Sequence, residues 1–298
     1  MNARPCDSSG VVRLALLVFA AQTLNLYDQA LRLYSQQDYQ RAESALRRAA
    51  EQDPRSVPVR MLLGATLLKL NRSEEAIREL EAANREDPRH ADAAKLLASE
   101  YLRTGRPTDA IRVLTPRLSK EPLDEETYLL LVQAHQDRGD AGDAESAMRL
   151  ADRALKSYPR SVDLHIYKAF GLRDAGRLQE AMQSVEQALK LDHSSRQARA
   201  LMADVLHRAG QHDRAILLFR AVLEQEPGDV ESRVGLARAL AATGRSDQAL
   251  AELIKGRDIA PQNARIRLEL SQLYSRLGRP DQAREEAEAY RKLRPAAP

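Results

Sequence analysis

The sequence predicts an all-α chain of eight stacked helix–turn–helix units, and three observations carry that prediction. The first is composition: charged residues make up 30%, aromatic residues 4%, and tryptophan is absent. Ala, Leu, Arg, Glu and Gln, all strong helix formers, dominate instead. The second is a proline ladder. Pro54, Pro88, Pro122, Pro159, Pro227, Pro261 and Pro295 follow one another at steps of 34 residues, stretched once to 37 and doubled once to 68, where His193 stands on the empty rung. Seven of the 13 prolines lie on this ladder, too many for accident. The third is that other positions keep the same beat, while no stretch shows the alternation of a half-buried strand.

Each element of the unit has a physical reason. The first helix carries a small residue (Ala30, Gly64, Ala98, Val132, Ala169, Ala203, Ala237, Ser271) and, three residues on, a larger one (Leu33, Leu67, Tyr101, His135, Leu172, Leu206, Leu240, Tyr274). That spacing marks one face of an amphipathic helix. The turn follows at Gly105, Gly139, Gly176, Gly210, Gly244 and Gly278, with Gln37 and Asn71 in the first two units. Glycine takes the left-handed conformation that closes a helix. The second helix carries an alanine twelve residues before every rung: Ala42, Ala76, Ala110, Ala147, Ala181, Ala215, Ala249 and Ala283. Four residues later comes a mostly larger apolar side chain: Leu46, Leu80, Leu114, Ala151, Val185, Phe219, Leu253 and Ala287. Two backbones can approach closely over the small positions. The proline then ends the second helix, because it cannot continue one. One hairpin cannot bury its own apolar face, so neighbours must stack.

With Leu63-Gly64, Leu67, Ala76, Leu80, Ala83 and Pro88 at a 34-residue period, the second unit resembles the tetratricopeptide repeat. The resemblance runs from about residue 23 to the end. It implies a right-handed superhelical α-solenoid with units near 23–56, 57–90, 91–124, 125–161, 162–195, 196–229, 230–263 and 264–298. The family's first-helix tryptophan is missing throughout, and the fourth unit has three extra residues around Gly139 to Asp143. After the alanine, inner units carry Ile77, Ile111, Met148, Met182, Ile216 and Leu250, but the end units carry Glu43 and Arg284. Terminal repeats need a wetter outer face, so these charges, and the charged last helix from Gln282 to Leu293, are expected in solvent. The same is expected of Arg47-Arg48 and Glu285-Glu286.

Residues 1–22 stand apart. Arg4 and Arg13 precede the apolar run Leu14 to Ala21, and Val18-Phe19-Ala20 offers a small-residue cleavage site. This is the layout of a secretory signal peptide, and the run is short for a membrane span. The expectation is export, giving a periplasmic or secreted protein. The alternative is a retained packing helix over the first unit and a cytoplasmic location. Membrane association is expected only through this segment.

The resemblance further implies that the second, fifth, ninth and twelfth residues of each first helix face a groove. In this chain the first two units offer Leu24, Tyr27, Leu31, Tyr34, Met61, Ala65 and Leu68, an apolar stretch that a retained packing helix would cover. The next two offer Lys95, Ser99, Gln133 and Gln136 among others, and the fifth offers Asp163, Ile166, Phe170 and Arg173. Gln197, Ala200, Asp204 and His207 follow, then Glu231, Val234, Arg238 and Ala241, and finally Arg265, Leu268, Gln272 and Ser275. The leading binding candidates are Tyr27, Leu31, Tyr34, Met61, Leu68, Lys95, Gln133, Ile166, Phe170, Arg173, Asp204 and Arg238. Apolar anchors among charges of both signs suit a partner peptide. The family's clamp for a chaperone's terminal carboxylate is absent, because Ser99 and Leu130 stand where it needs asparagines.

The remaining chemistry is sparse. A formal charge of +3 from 46 basic and 43 acidic residues is no nucleic-acid footprint. Cys6 is the single cysteine, so neither an internal disulfide nor a cysteine zinc site can form. No phosphate loop, GxSxG or HExxH is present. His207 and His212 bracket one turn without an evident third metal ligand beyond Asp213. Lys168, in place of a leucine, signals a packing defect or a partner contact. No cofactor or metal is expected, and the expected function is a non-catalytic protein-interaction scaffold, placed by the N-terminal segment in a bacterial envelope or export assembly. A cytosolic adaptor is the alternative, and an enzyme on a solenoid scaffold a minor one.

Overall fold

The computed structural model describes residues 23–119 and 123–293. The reading of residues 1–22, with Cys6, lies outside the described residues, as do rungs Pro122 and Pro295. Among the described residues every regular element is helical: α1 (23–35), α2 (Tyr39–Gln52), α3 (Val57–Lys69), α4 (Ser73–Glu86), α5 (Ala91–Arg103), α6 (Pro107–Leu114) with a 3-10 turn at Thr115–Ser119, α7 (Glu125–Arg138) and α8 (Asp143–Ser157). They continue as α9 (Val162–Asp174), α10 (Leu178–Leu191), α11 (Arg196–Arg208), α12 (His212–Gln225), α13 (Val230–Ala242), α14 (Ser246–Ile259), α15 (Ala264–Arg276) and α16 (Pro280–Leu293). The fold is an all-α helical-repeat solenoid. The chain divides into an N-terminal body, residues 1–143, and a C-terminal body, residues 144–298.

The hairpins form for the reasons visible in the sequence. The residue closing each first helix has a φ between 59° and 78° in all eight repeats, including the non-glycine Gln37 and Asn71. Left-handed backbone costs a side chain about 1–2 kcal/mol, so those two turns are held by the surrounding hairpin. All eight recurring alanines are buried. Gly64 shows why small residues recur, since a Cβ there would stand 2.7 Å from Leu80 Cγ. The third hairpin departs from the pattern. Pro116 cannot donate the next helical hydrogen bond, and α6 ends after eight residues in the 3-10 turn.

The linker between hairpins has its own hydrogen-bond logic. Asp53, Asp87 and Asp192 end second helices, and each carboxylate accepts from the backbone N–H two residues on, at 3.2, 2.9 and 2.9 Å. From the third repeat on, the next first helix starts with a capping side chain: His90, Asp124, Ser161, Ser195, Asp229 or Asn263. Such caps satisfy N–H groups that have no partner inside the helix. An arginine of the first helix then reaches back six residues to the rung carbonyl. Arg60 donates to Pro54 O at 2.6 Å, Arg267 to Pro261 O at 3.2 Å and Arg199 to His193 O at 3.2 Å. Arg233 makes the same bond to Pro227 O. Three of these arginines also pair with a glutamate 19 residues on: Arg60 with Glu79 at 2.5 Å, Arg233 with Glu252 at 2.5 Å and Arg267 with Glu286 at 2.9 Å. In the third repeat Ala94 takes the arginine's place, and Arg117 from the 3-10 turn serves His90 O instead, at 2.6 Å.

Several charges expected in solvent are structural. Glu43 is not a wet outer residue. It is bound by Arg47 at 2.8 Å from its own helix and by Arg72 at 2.7 Å from the next hairpin, and Arg47 also reaches Glu75 at 2.9 Å. Glu286 is 4% exposed and pairs with Arg257 at 3.1 Å as well as Arg267. Arg284 and Glu285 are exposed as expected. Lys168, where a leucine usually stands, pairs with Asp152 of α8 at 2.6 Å. His135 packs where a leucine usually stands and is hydrogen-bonded through Nδ1 to Asp143 at 2.7 Å.

Candidate functional site

The C-terminal body holds a cavity of about 580 Å³ on the faces of α9, α11, α13 and α15. Its apolar part is Phe170, Ala200, Leu201 and Phe219, and charged side chains surround them. One place in its lining carries no side chain. Leu62, Leu96, Leu130 and Leu201 occupy the sixth place of their repeats, and Gly235 stands there in the seventh. The ring of Phe219 from α12 uses that room: a Cβ on Gly235 would meet it, with Phe219 Cε1 at 2.6 Å.

Polar side chains are held in pairs around this floor. Asp204 Oδ2 accepts from Arg173 at 3.1 Å and from Arg208 at 3.2 Å. The Arg173 guanidinium also lies 4.9 Å from the centre of the Phe170 ring, within range of a cation–π attraction. Arg238 is bonded to Glu269, which is 7% exposed, and that bond outweighs burial and raises the Arg238 pKa. Arg265 pairs with Glu231 at the rim. Next to the cavity, His207 and His212 approach with their Nδ1 atoms 3.1 Å apart. Burial, and then the neighbouring His212, push the His207 pKa down. Among the described residues no group of three or more histidine, cysteine or carboxylate side chains is placed to hold a metal.

The N-terminal body has a smaller cavity of about 450 Å³, lined by Tyr34, Ala65, Leu68 and Leu96 with Lys69, Asn71, Glu100 and Arg103. Arg103 is tied to Glu100 at 2.8 Å. Tyr27 is partly buried against the core of the first two repeats, whereas Leu24 and Leu31 are 61% and 40% exposed. Lys95 is enclosed by Asp92 at 3.3 Å, Asp124 at 3.6 Å and Glu126 at 2.8 Å.

The structure thus brings Phe170, Arg173, Asp204 and Arg238 together in one cavity, with Tyr34 and Leu68 in another. Met61 and Gln133 are partly buried and line neither. Ile166 does not face the groove. It is 1% exposed within the core of the C-terminal body, as is Val234, because a branched apolar side chain at that place packs inward. The sequence reading missed Arg196 and Arg208, which flank the expected positions, and Phe219, which reaches the cavity from a second helix. The signal for the last was a glycine where other repeats have leucine.

Comparison with known proteins agrees with this architecture. Family profiles described as tetratricopeptide repeat match residues 33–100 and 206–262, 129–196 and 171–230, and 264–289. No curated protein sequence matches the chain significantly. Among solved structures, a tetratricopeptide repeat protein from Parabacteroides merdae aligns with a TM-score of 0.70 at 16% identity, over 80% of this chain and 93% of its own. TTC0263, a thermophilic TPR protein of Thermus thermophilus, aligns at 0.51 and 26% identity, over 62% of this chain and 100% of its own. The APC/C hetero-tetramer Cut9–Hcn1 contains a chain that aligns at 0.64 and 14% identity, with 91% of this chain covering 53% of that one. Repeat period, helical pairing and matched profiles agree: the chain belongs to the tetratricopeptide repeat family.

Proposed function

We propose that this protein is a non-catalytic scaffold that holds a segment of a partner protein in the cavity of the C-terminal body. The observation carrying this reading is the cavity itself: an apolar floor of Phe170, Ala200 and Leu201 framed by paired charges. Peptide recognition reuses that combination, with the floor supplying affinity and the polar frame setting register. Affinity capture from native cells, with the parent protein and a Phe170→Glu variant side by side, tests it. A partner recovered with the parent should be lost with the variant. Equal recovery from both would overturn the assignment.

The place of action proposed is a bacterial cell envelope, in the assembly of an export or outer-membrane system. Its support is the sequence of residues 1–22, basic and then apolar up to Ala21. The intact mass of the native protein decides. Cleavage after Ala20 is expected, and a start at Met1 or Asn2 with Cys6 retained would favour a cytosolic adaptor instead.

A further inference from the structure

We propose that His207 and His212 form an acid-released latch on the sixth hairpin: one hydrogen bond between their Nδ1 atoms holds the turn shut near neutral pH and is lost when both rings carry a proton. His207 lies in the last turn of α11 and His212 opens α12, so the pair spans the turn. Their Nδ1 atoms are 3.1 Å apart and their ring centres 4.9 Å apart, with the planes tilted by 50°. Such a bond needs one nitrogen to donate its N–H and the other to accept. Two protonated rings offer donors only. Like charges would then stand at hydrogen-bond distance, and the pair must part. The backbone of the same residue closes the turn, since His207 O accepts from Gly210 N–H at 3.0 Å.

The first repeat shows what these two places do. Tyr34 and Tyr39 stand five residues apart across the same turn, with ring centres 5.3 Å apart in an edge-to-face contact. Both repeats thus staple the turn with a ring pair. Phenol rings gain no charge in acid, whereas imidazoles do. The surroundings of His207 add to the effect. Arg208 on its own helix and Arg238 on α13 oppose a further positive charge. Asp204, which favours one, is already shared by Arg173 of α9 and Arg208. Asp213, next to His212 on α12, is taken by Arg245. Burial first, and His212 second, hold the His207 pKa below its ordinary value of about 6.5. The unfolded chain therefore binds this proton before the folded one does. The stability it governs is present above about pH 6.5 and is lost as pH falls below that value.

Imidazole titration by NMR and thermal unfolding between pH 8 and pH 5, both on the full chain, test the latch. The parent is compared with His212→Gln and with a double variant, His207→Tyr with His212→Tyr, which copies the ring pair of the first repeat. In the parent His207 should titrate below 6.5, and in His212→Gln its midpoint should move up. Between pH 8 and pH 5 the parent's melting temperature should fall by about 2–4 °C more than that of either variant. Should one variant fail to fold, the other still reads that difference. A His207 midpoint that stays in place in His212→Gln would mean that the rings titrate independently, and no latch exists. Equal acid responses in the parent and the folded variants would mean that the turn does not depend on the pair, and would overturn the proposal as well.

Discussion

The two bodies follow one backbone plan, yet each carries on its first helices an ion cluster built the opposite way round. In the N-terminal body a single cation, Lys95, sits among Asp92, Asp124 and Glu126. Its pKa is raised, chiefly by the hydrogen bond to Glu126. In the C-terminal body one carboxylate, Asp204, is shared by Arg173 and Arg208, while Arg173 also pairs with Asp174. Beneath both clusters the same small and apolar positions are buried, Ala98 and Tyr101 in one, Ala203 and Leu206 in the other. The repeat fixes where a side chain points and leaves its chemistry free. One scaffold can therefore present an ammonium ringed by carboxylates in one body and a carboxylate shared by guanidiniums in the other without any change of fold.

The largest effect is expected where the bodies are alike. Ala76 and Ala215 are both fully buried in the second helices of their hairpins. Ala76→Glu and Ala215→Glu each introduce excess volume and a charge without a partner, and each should cost about 4 kcal/mol or more. Urea unfolding followed by circular dichroism measures this. Losses of similar size in both variants would confirm a common packing rule. A variant that unfolds like the parent would show that its body does not obey the rule.

A smaller effect is expected at Asp143, where a charge is buried instead of displayed. Asp143 is 2% exposed. It accepts from Arg138 Nε at 2.8 Å and the Asp140 backbone N–H at 2.9 Å, and is bonded to His135 at 2.7 Å. Arg138 leads these interactions, which together outweigh burial and hold the Asp143 carboxyl well below the usual range. A depressed carboxylate contributes stability that is fully present above its ordinary pKa of about 4. That stability is lost as pH falls through the lower folded value. Asp143→Asn should therefore cost about 2 kcal/mol at neutral pH. The gap to the parent should narrow once the pH drops below about 4. A gap that stays constant into acid would mean that shape, and not charge, gives Asp143 its role.

Most of the fold was legible because its determinants are local and periodic. Proline, the turn residue and the recurring alanine each act within one hairpin, so eight copies reinforce one pattern. The linker arginines were not legible in that way. Arg60, Arg233 and Arg267 recur only in some repeats, and their partners lie 6 residues back and 19 residues on. Where Ala94 breaks the pattern, Arg117 reaches the linker carbonyls from another element, His90 O at 2.6 Å and Pro88 O at 3.4 Å. Glu43 and Glu286 were misjudged for a related reason. A charge in a helix pattern reads as solvated, but pairing with Arg72 or Arg257 depends on the neighbouring hairpin. The cavity was half legible. The expected positions named Phe170, Arg173, Asp204 and Arg238, but not Gly235 and Phe219, two lining residues whose fit appears only when hairpins stack.

The smallest expected effects sharpen the comparison itself. Lys95→Met leaves three carboxylates facing one another, and Asp204→Asn leaves two guanidiniums without their shared anion. Because most of the remaining partners are partly exposed, each change should cost about 0.5–1 kcal/mol. Salt near 0.5 M should recover most of that loss, since the Debye length there is only about 4 Å. The two variants should part company in binding. With a partner segment recovered by the parent protein, Asp204→Asn changes the polar frame of the cavity and should shift its affinity about twofold to threefold. Lys95→Met lies in the other body and should leave the affinity unchanged. If Asp204→Asn leaves the affinity unchanged as well, Asp204 serves only to hold Arg173 and Arg208 to their own body, and the partner segment does not read the polar frame at that point.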